Sequence, residues 1–200
     1  MSDIVEKALD EFWRSFSPTG ANAYERERER LLGVRRRAEA EGTQRDLLRI
    51  DAALVTLADD FERIDDVIMS AREVVAQRDY SSFETTVAVL FLARALHTVE
   101  QHDEEIRLAA SISAEPTIPA EDAVRILERV VQEHPSRLSW SPQLVEKLEA
   151  AVFTEPLAEL PEEKKRIPDD STELADFVLM LAQQLRSWNE EQMRNVTNSE

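Results

Sequence analysis

The stretch of sequence that decides the fold is residues 43–79, TQRDLLRIDAALVTLADDFERIDDVIMSAREVVAQRD. Apolar side chains recur along it at alternating steps of three and four residues. They are Leu47, Ile50, Leu54, Leu57, Phe61, Ile64, Ile68, Ala71 and Val75. An α-helix places such positions on one face, as the a and d sites of a heptad repeat. The pattern therefore predicts one long helix over residues 43–79.

The positions beside this apolar seam indicate which kind of assembly the helix belongs to. With Leu47 at site a, three of the four g sites are apolar: Ala53, Val67 and Val74. A two-stranded coiled coil needs only the narrow a/d stripe, whereas a wider stripe is typical of a helix buried among several neighbours. The sequence therefore predicts a multi-helix bundle rather than a dimeric zipper.

Periodicity and capping residues predict further helices on both sides of this stretch. The predicted helices span residues 3–16, 23–41, 82–112, 120–134, 142–153 and 172–194. Ser81 and Glu84 match a capping box at the start of one of them, and Ser141 and Asp170 are the predicted caps of two others. Residues 87–93 are apolar all round, which predicts burial between several helices.

These elements predict an all-α fold, and the chain has only three glycines, fewer than a protein built on tight hairpins would use. The prolines in residues 113–119 indicate a domain boundary. We therefore predict a bundle of long antiparallel helices over residues 1–112. Residues 113–200 are predicted to form a smaller C-terminal helical lobe, packed on the bundle or separate from it.

The net charge of −17 is unevenly distributed along the sequence. Residues 1–50 are neutral, whereas residues 51–200 carry fourteen Lys and Arg against thirty-one Asp and Glu. Such a surface repels nucleic acid and anionic membranes, so no direct nucleic-acid binding is expected and a basic protein partner is favoured. Solubility or adaptation to a salty cytoplasm is the simpler explanation of the charge.

Three further absences bear on location. The chain has no cysteine, no apolar run of the ~18 residues that a membrane span needs, and no basic–apolar leader at Met1. We therefore expect a cytoplasmic protein without disulfides.

Few residues could carry chemistry. The sequence lacks a glycine-rich phosphate loop, a nucleophile elbow and a cysteine nucleophile, so neither a cofactor nor an enzymatic activity is expected. His97, Glu100 and Glu104 follow the spacing i, i+3, i+7, which would place three metal ligands on one face of the predicted helix 82–112. The simpler interpretation is the solvated end of that helix.

A basic cluster on the second helix is the first candidate for an interaction surface. Its members are Arg30, Arg35, Arg36 and Arg37. Glutamates interleave with the arginines just before it, which is typical of a salt-bridged, solvated face. The alternative is docking against the acidic remainder of the chain or of a second copy.

Aromatic residues give another candidate. Trp140 lies in a predicted loop, where it either packs on the helix that follows or anchors a partner. Trp13 and Trp188 lie on helical seams and are predicted to be core residues. Arg94 follows an apolar run, which predicts a buried side chain paired with a carboxylate.

Together these features predict a non-enzymatic helical protein–protein interaction module, acting as an adaptor, an assembly component or an inhibitor. Self-association into a homo-oligomer is a separate prediction, based on the wide apolar seam and on the charge asymmetry between residues 1–50 and the rest of the chain. Two alternatives remain open. One is an acidic nucleic-acid mimic that occupies the basic site of a nucleic-acid-binding protein. The other is a metal-binding helical-bundle enzyme that uses His97, Glu100 and Glu104.

Overall fold

The computed structural model describes residues 3–15, 22–41, 44–77 and 82–197. Within these ranges the chain forms helices and turns but no strand, which confirms the predicted all-α class. The helices are α1 (Asp3–Ser15), α2 (Ala23–Glu41), α3 (Gln44–Asp60), α4 (Ile64–Ala76), α5 (Phe83–Thr98), α6 (His102–Ser113), α7 (Ala120–Glu133), α8 (Pro142–Ala151), α9 (Glu162–Lys165) and α10 (Ser171–Thr197). In the described part of the chain, no helix combines the length and the hydropathy needed to cross a bilayer.

The chain divides into two compact units, Met1–Gln101 and His102–Glu200. This division, after Gln101, lies eleven residues before the domain boundary that the sequence predicted after residue 112. The difference comes from the assignment of α6 to the second unit. This helix packs against α7 and α8, so its contacts place it with the C-terminal part of the chain.

The prediction of a single long helix over residues 43–79 is wrong, because the chain leaves helical geometry between α3 and α4. Glu62 has a φ of 55°, in the left-handed region. Its N–H donates to the carbonyl of Asp59 at 2.9 Å, and the N–H of Arg63 donates to the carbonyl of Ala58 at 2.8 Å. These two bonds define a Schellman motif, which ends a helix. Glycine usually occupies the left-handed position, so a glutamate there gave no sequence signal.

The helix predicted over residues 82–112 is interrupted in the same way, between α5 and α6. Glu100 has a φ of 60°. Its N–H donates to the carbonyl of His97 at 3.0 Å, and the N–H of Gln101 donates to the carbonyl of Leu96 at 2.8 Å. The next helix after each break carries acidic residues in its first turn, where they stabilise the positive end of the helix dipole.

In the first unit, α3 packs against α1, α2, α4 and α5. Because it has neighbours on several sides, most of its length is buried. Its buried apolar residues are Leu48, Ile50, Ala52, Ala53, Leu54, Val55, Leu57 and Ala58. The predicted g sites Val67 and Val74 on α4 are also buried. The wide apolar stripe is thus buried, as predicted for a helix within a bundle, but it is divided between the two helices α3 and α4.

In the second unit, α7 occupies the corresponding position and packs against α6, α8 and α10. Its apolar residues recur at helical spacing and form a fully buried face. They are Ala123, Val124, Ile126, Leu127, Val130 and Val131. The segment between α8 and α10 contains a short 3-10 turn, Leu157–Glu159, and the four-residue helix α9.

Side-chain caps confirm two of the predicted helix starts. Ser141 Oγ accepts a backbone N–H of α8 at 3.3 Å, and Asp170 Oδ1 accepts a backbone N–H of α10 at 2.8 Å. The predicted cap of α5, Ser81, is wrong by one residue. Ser82 has the extended backbone of a cap, and its Oγ accepts the N–H of Thr85 at 3.2 Å.

A buried ion pair joins α2 to α3. Arg35 Nε donates to Asp51 Oδ1 at 2.5 Å, and the side chain of Asp51 is 1% exposed. Gln77 Nε2 donates to the other carboxylate oxygen at 3.1 Å, while Glu39 and Glu73 contact the guanidinium group of Arg35. Burial raises the pKa of Asp51 above its ordinary value, and the bonds from Arg35 and Gln77 oppose that rise. The pKa of Arg35 is raised, chiefly by its hydrogen bond to Asp51.

Removing Arg35 is expected to cost more stability than removing the charge of Asp51. The substitution Arg35→Met leaves a buried carboxylate without its counter-charge and should lower the free energy of unfolding by about 3 kcal/mol. Asp51→Asn removes the group that burial penalises and should cost only about 1 kcal/mol. Urea unfolding followed by circular dichroism measures both values. A larger loss for Asp51→Asn than for Arg35→Met would contradict this ranking.

The pH dependence of the two variants follows from the raised pKa of Asp51. The folded chain keeps this proton at pH values where the unfolded chain has released it. The stability that the group contributes is therefore complete below the ordinary carboxyl pKa and is lost as the pH rises through the folded-state pKa. Without Arg35 that pKa rises further, so the deficit of Arg35→Met should grow between about pH 4 and pH 7. In the double variant that combines Arg35→Met with Asp51→Asn, the loss of stability should not increase with pH over this range.

The left-handed turn at Glu62 makes a second prediction about stability. An L-residue with this backbone costs about 1 kcal/mol, and Glu62 is exposed, so Glu62→Gly should raise the free energy of unfolding by up to about 1 kcal/mol. Glu62→Val should lower it by about 1–2 kcal/mol, because a β-branched residue tolerates this geometry poorly. A matched control is Glu29→Gly within α2. This substitution is expected to lower the free energy of unfolding by about 1 kcal/mol. Equal losses for both glycine variants would show that Glu62 is not left-handed.

Candidate functional site

The main candidate site is a groove in the first unit, formed by α1, α3 and α5. It has a volume of 270 Å³. Its apolar lining comes from Leu9, Trp13, Ala52, Ala53, Phe83 and Val87. A second depression of 700 Å³ has Arg49, Phe83 and Glu84 in common with it. We call the two together the Trp13–Phe83 groove.

Two large aromatic side chains on this groove are exposed, Trp13 to 53% and Phe83 to 75%. The prediction that Trp13 is a core residue is therefore wrong. The buried face of α1 runs through Val5, Leu9 and Phe12, and the next residue along a helix points about 100° away from that face. Trp13 instead contacts Phe12 edge-on, with ring centroids 4.8 Å apart. Such exposed aromatic residues are typical of binding surfaces.

The rim of the groove is polar and mixed in charge. Arg49 Nε lies 3.9 Å from Glu84 Oε1, and both side chains are about one-third exposed. Arg45 lines the larger depression. The first unit as a whole has fourteen Lys and Arg against twenty Asp and Glu, so its net charge is −6. A partner approaching this groove therefore meets an acidic protein with a local rim of mixed charge.

The basic cluster predicted on α2 is largely engaged by carboxylates of its own unit. Arg30 and Arg36 pair with glutamates of α2 at 2.9 and 3.0 Å. Arg35 makes the buried pair described above, and Arg37 is exposed. Arg30, Arg35 and Arg36 thus have carboxylate partners within the first unit.

Arg94 and Trp188 differ in burial from their predictions. Arg94 pairs with the carboxylate of Asp59, as predicted, but its side chain is 50% exposed rather than buried. Trp188 is 37% exposed and not a core residue, because the buried face of α10 ends at Leu185. Trp140 is half-buried, and its indole Nε1 has no hydrogen-bond acceptor among the described residues.

The three residues predicted as metal ligands do not lie on one helix. His97 is in the last turn of α5, Glu100 is the left-handed residue of the turn, and Glu104 is in the first turn of α6. The spacing i, i+3, i+7 describes a common face only in a continuous helix. Because the helix is interrupted here, that argument for a shared site fails.

A different set of metal-ligating side chains comes together in the second unit. Candidate ligand atoms of His102, Glu105 and His134 lie within 4.8 Å of one another. The two imidazole rings are 4.7 Å apart at their centroids, and His102 Nδ1 is 3.4 Å from Glu105 Oε2. We call this set the α6–α7 histidine cluster. His102 and Glu105 are three residues apart and share a face in the predicted helix 82–112 as well, but no local pattern in the sequence indicates that His134, at the end of α7, lies beside them.

No protein-family model, curated protein or solved structure matches the chain. Its function is therefore inferred from its own contacts, charges and exposed surfaces.

Proposed function

We propose that this protein is a non-enzymatic interaction module whose first unit binds an amphipathic helical segment of a partner protein in the Trp13–Phe83 groove. The observation that supports this proposal is the pair of exposed aromatic side chains on one apolar groove. Adaptor, assembly component and inhibitor are all roles that such binding serves.

The apolar part of the proposal follows from the surface of the groove. Burying a side chain such as Phe83 or Trp13 contributes about 1.5–3 kcal/mol. Aromatic anchors of this kind dominate the binding energy of protein interfaces. The lining between them is built from small and branched side chains, Ala52, Ala53 and Val87, which leave room for the ridge of a second helix.

The charge of the partner follows from the acidic surface. The whole chain has a net charge of −17, and the unit with the groove is itself acidic. Long-range attraction therefore favours partners with basic residues and speeds their association. We propose an occupant with an apolar face for the groove and Lys or Arg on its flanks.

A pair of synthetic helical peptides tests this proposal directly. Both carry leucines at i, i+3, i+4 and i+7; one has lysine flanks and the other glutamate flanks. The lysine peptide is expected to bind the full chain more tightly at low salt, and the difference should shrink at high salt. Fluorescence anisotropy of the labelled peptides measures both affinities. Equal or reversed affinities at low salt would contradict the basic partner.

Phe83 and Phe153 provide a matched pair of variants, since each side chain is 75% exposed and only Phe83 lines the groove. Phe83→Ala is expected to weaken binding of the lysine peptide at least about tenfold, or ~1.4 kcal/mol. Phe153→Ala should change it by less than about twofold. If both variants lose affinity equally, or the native chain binds neither peptide, the groove is not the interface. Self-association that Phe83→Ala abolishes would identify a second copy as the occupant instead.

A further inference from the structure

The α6–α7 histidine cluster supports an inference that is independent of the proposed interaction and lies in the other unit. We propose that His102, Glu105 and His134 form a binding site for Zn²⁺. The site would join the start of α6 to the end of α7.

The ligand types fit this ion. Two imidazole nitrogens and one carboxylate oxygen are a common set of protein ligands for zinc, and such three-ligand sites leave a fourth position for water or a small ligand. Magnesium and calcium prefer all-oxygen sites, so the two histidines favour a transition metal ion.

The geometry of His102 and Glu105 also fits. These residues are three apart in the first turn of α6, which places them on one helix face. The distance from His102 Nδ1 to Glu105 Oε2 is 3.4 Å, longer than a good N–H···O hydrogen bond. Two ligands that are each about 2.0–2.1 Å from a tetrahedral zinc ion lie about 3.3–3.4 Å from one another. The observed separation fits two ligands on one ion, as it also fits a long hydrogen bond between the two side chains.

His134 supplies the third ligand from α7. It is the C-terminal capping residue of α7. Its backbone N–H donates to the carbonyl of Val130 at 2.7 Å, and this bond holds the backbone of His134 against the end of the helix. Its Nε2 atom is buried from solvent. All candidate ligand atoms lie within 4.8 Å of one another, whereas ligands of one tetrahedral zinc ion lie about 3.3–3.4 Å apart, so binding of the ion would draw the side chains closer together.

Arg129 orients the carboxylate for this role. Its Nε atom contacts Glu105 Oε1 at 3.3 Å, and the side chain of Glu105 is fully buried. One carboxylate oxygen is thus held by Arg129, while the other faces His102. Hydrogen bonds of this kind around metal ligands fix their orientation and tune affinity.

Isothermal titration of the metal-free full chain with zinc chloride tests the site. The native chain is expected to bind one equivalent of Zn²⁺ and to gain thermal stability on binding. His102→Gln and His134→Gln should each weaken binding at least about tenfold, because even the loss of a group that only positions a ligand costs ~10–100-fold. No saturable binding to the native chain, or native affinity in both variants, would overturn the proposal.

Two carboxylate variants serve as matched controls. Glu104→Gln and Glu133→Gln each alter the residue immediately before a proposed ligand, and both should bind Zn²⁺ as the native chain does. Loss of binding in these controls equal to that in the histidine variants would indicate nonspecific attraction to acidic side chains, and it would also overturn the site. His97 stays unchanged in every variant.

A spectroscopic measurement on the native chain covers the case in which a histidine variant does not fold. Zn²⁺ should shift the imidazole ¹⁵N resonances of His102 and His134, and Co²⁺ in its place should show the visible absorption of a four-coordinate ion. Unshifted imidazole resonances in the presence of excess Zn²⁺ would rule the site out. Loss of this site would leave the peptide-binding proposal for the first unit untouched.

Discussion

The reversal of the chain at Glu62 is the constraint on which the first unit depends. A continuous helix over the heptad pattern would be a rod that could bury its apolar seam only against other helices. With Glu62 in the left-handed region, the two halves of that seam become α3 and α4, which pack against each other. Tyr24 on α2 contacts both sides of the reversal. Its hydroxyl donates to Asp66 at 2.5 Å, and its ring lies 5.6 Å from that of Phe61.

The high negative charge is compatible with this packing because many carboxylates are paired. Asp51 shows the balance of forces most clearly, since burial raises its pKa while Arg35 and Gln77 stabilise its charged form. A buried pair of this type contributes little net stability, but removing one partner is costly. It links α2 to α3 through the bonds from Arg35 to Asp51. The remaining surface charge contributes to the electrostatic field at longer range.

The two proposed sites arise from different features of the helices. The Trp13–Phe83 groove forms between helix sides, where alanines on α3 leave space between larger residues. The α6–α7 histidine cluster forms at helix ends, where a helix begins at His102 and another ends before His134. Neither set is contiguous in sequence. Reasoning from spacing alone selected His97, Glu100 and Glu104, because it treated α5 and α6 as one helix.

The sequence by itself determined the helical class, the extents of α1, α2, α7, α8 and α10 to within a few residues, and the caps at Ser141 and Asp170. These follow from local propensity, periodicity and side-chain hydrogen bonds within one turn. Only the tertiary structure decided where the two long patterns break, because neither Glu62 nor Glu100 is a residue that favours left-handed geometry. At the first of these breaks, α3 and α4 pack against each other. Convergence of His102, Glu105 and His134 depends on the packing of α6 against α7, which no local pattern encodes.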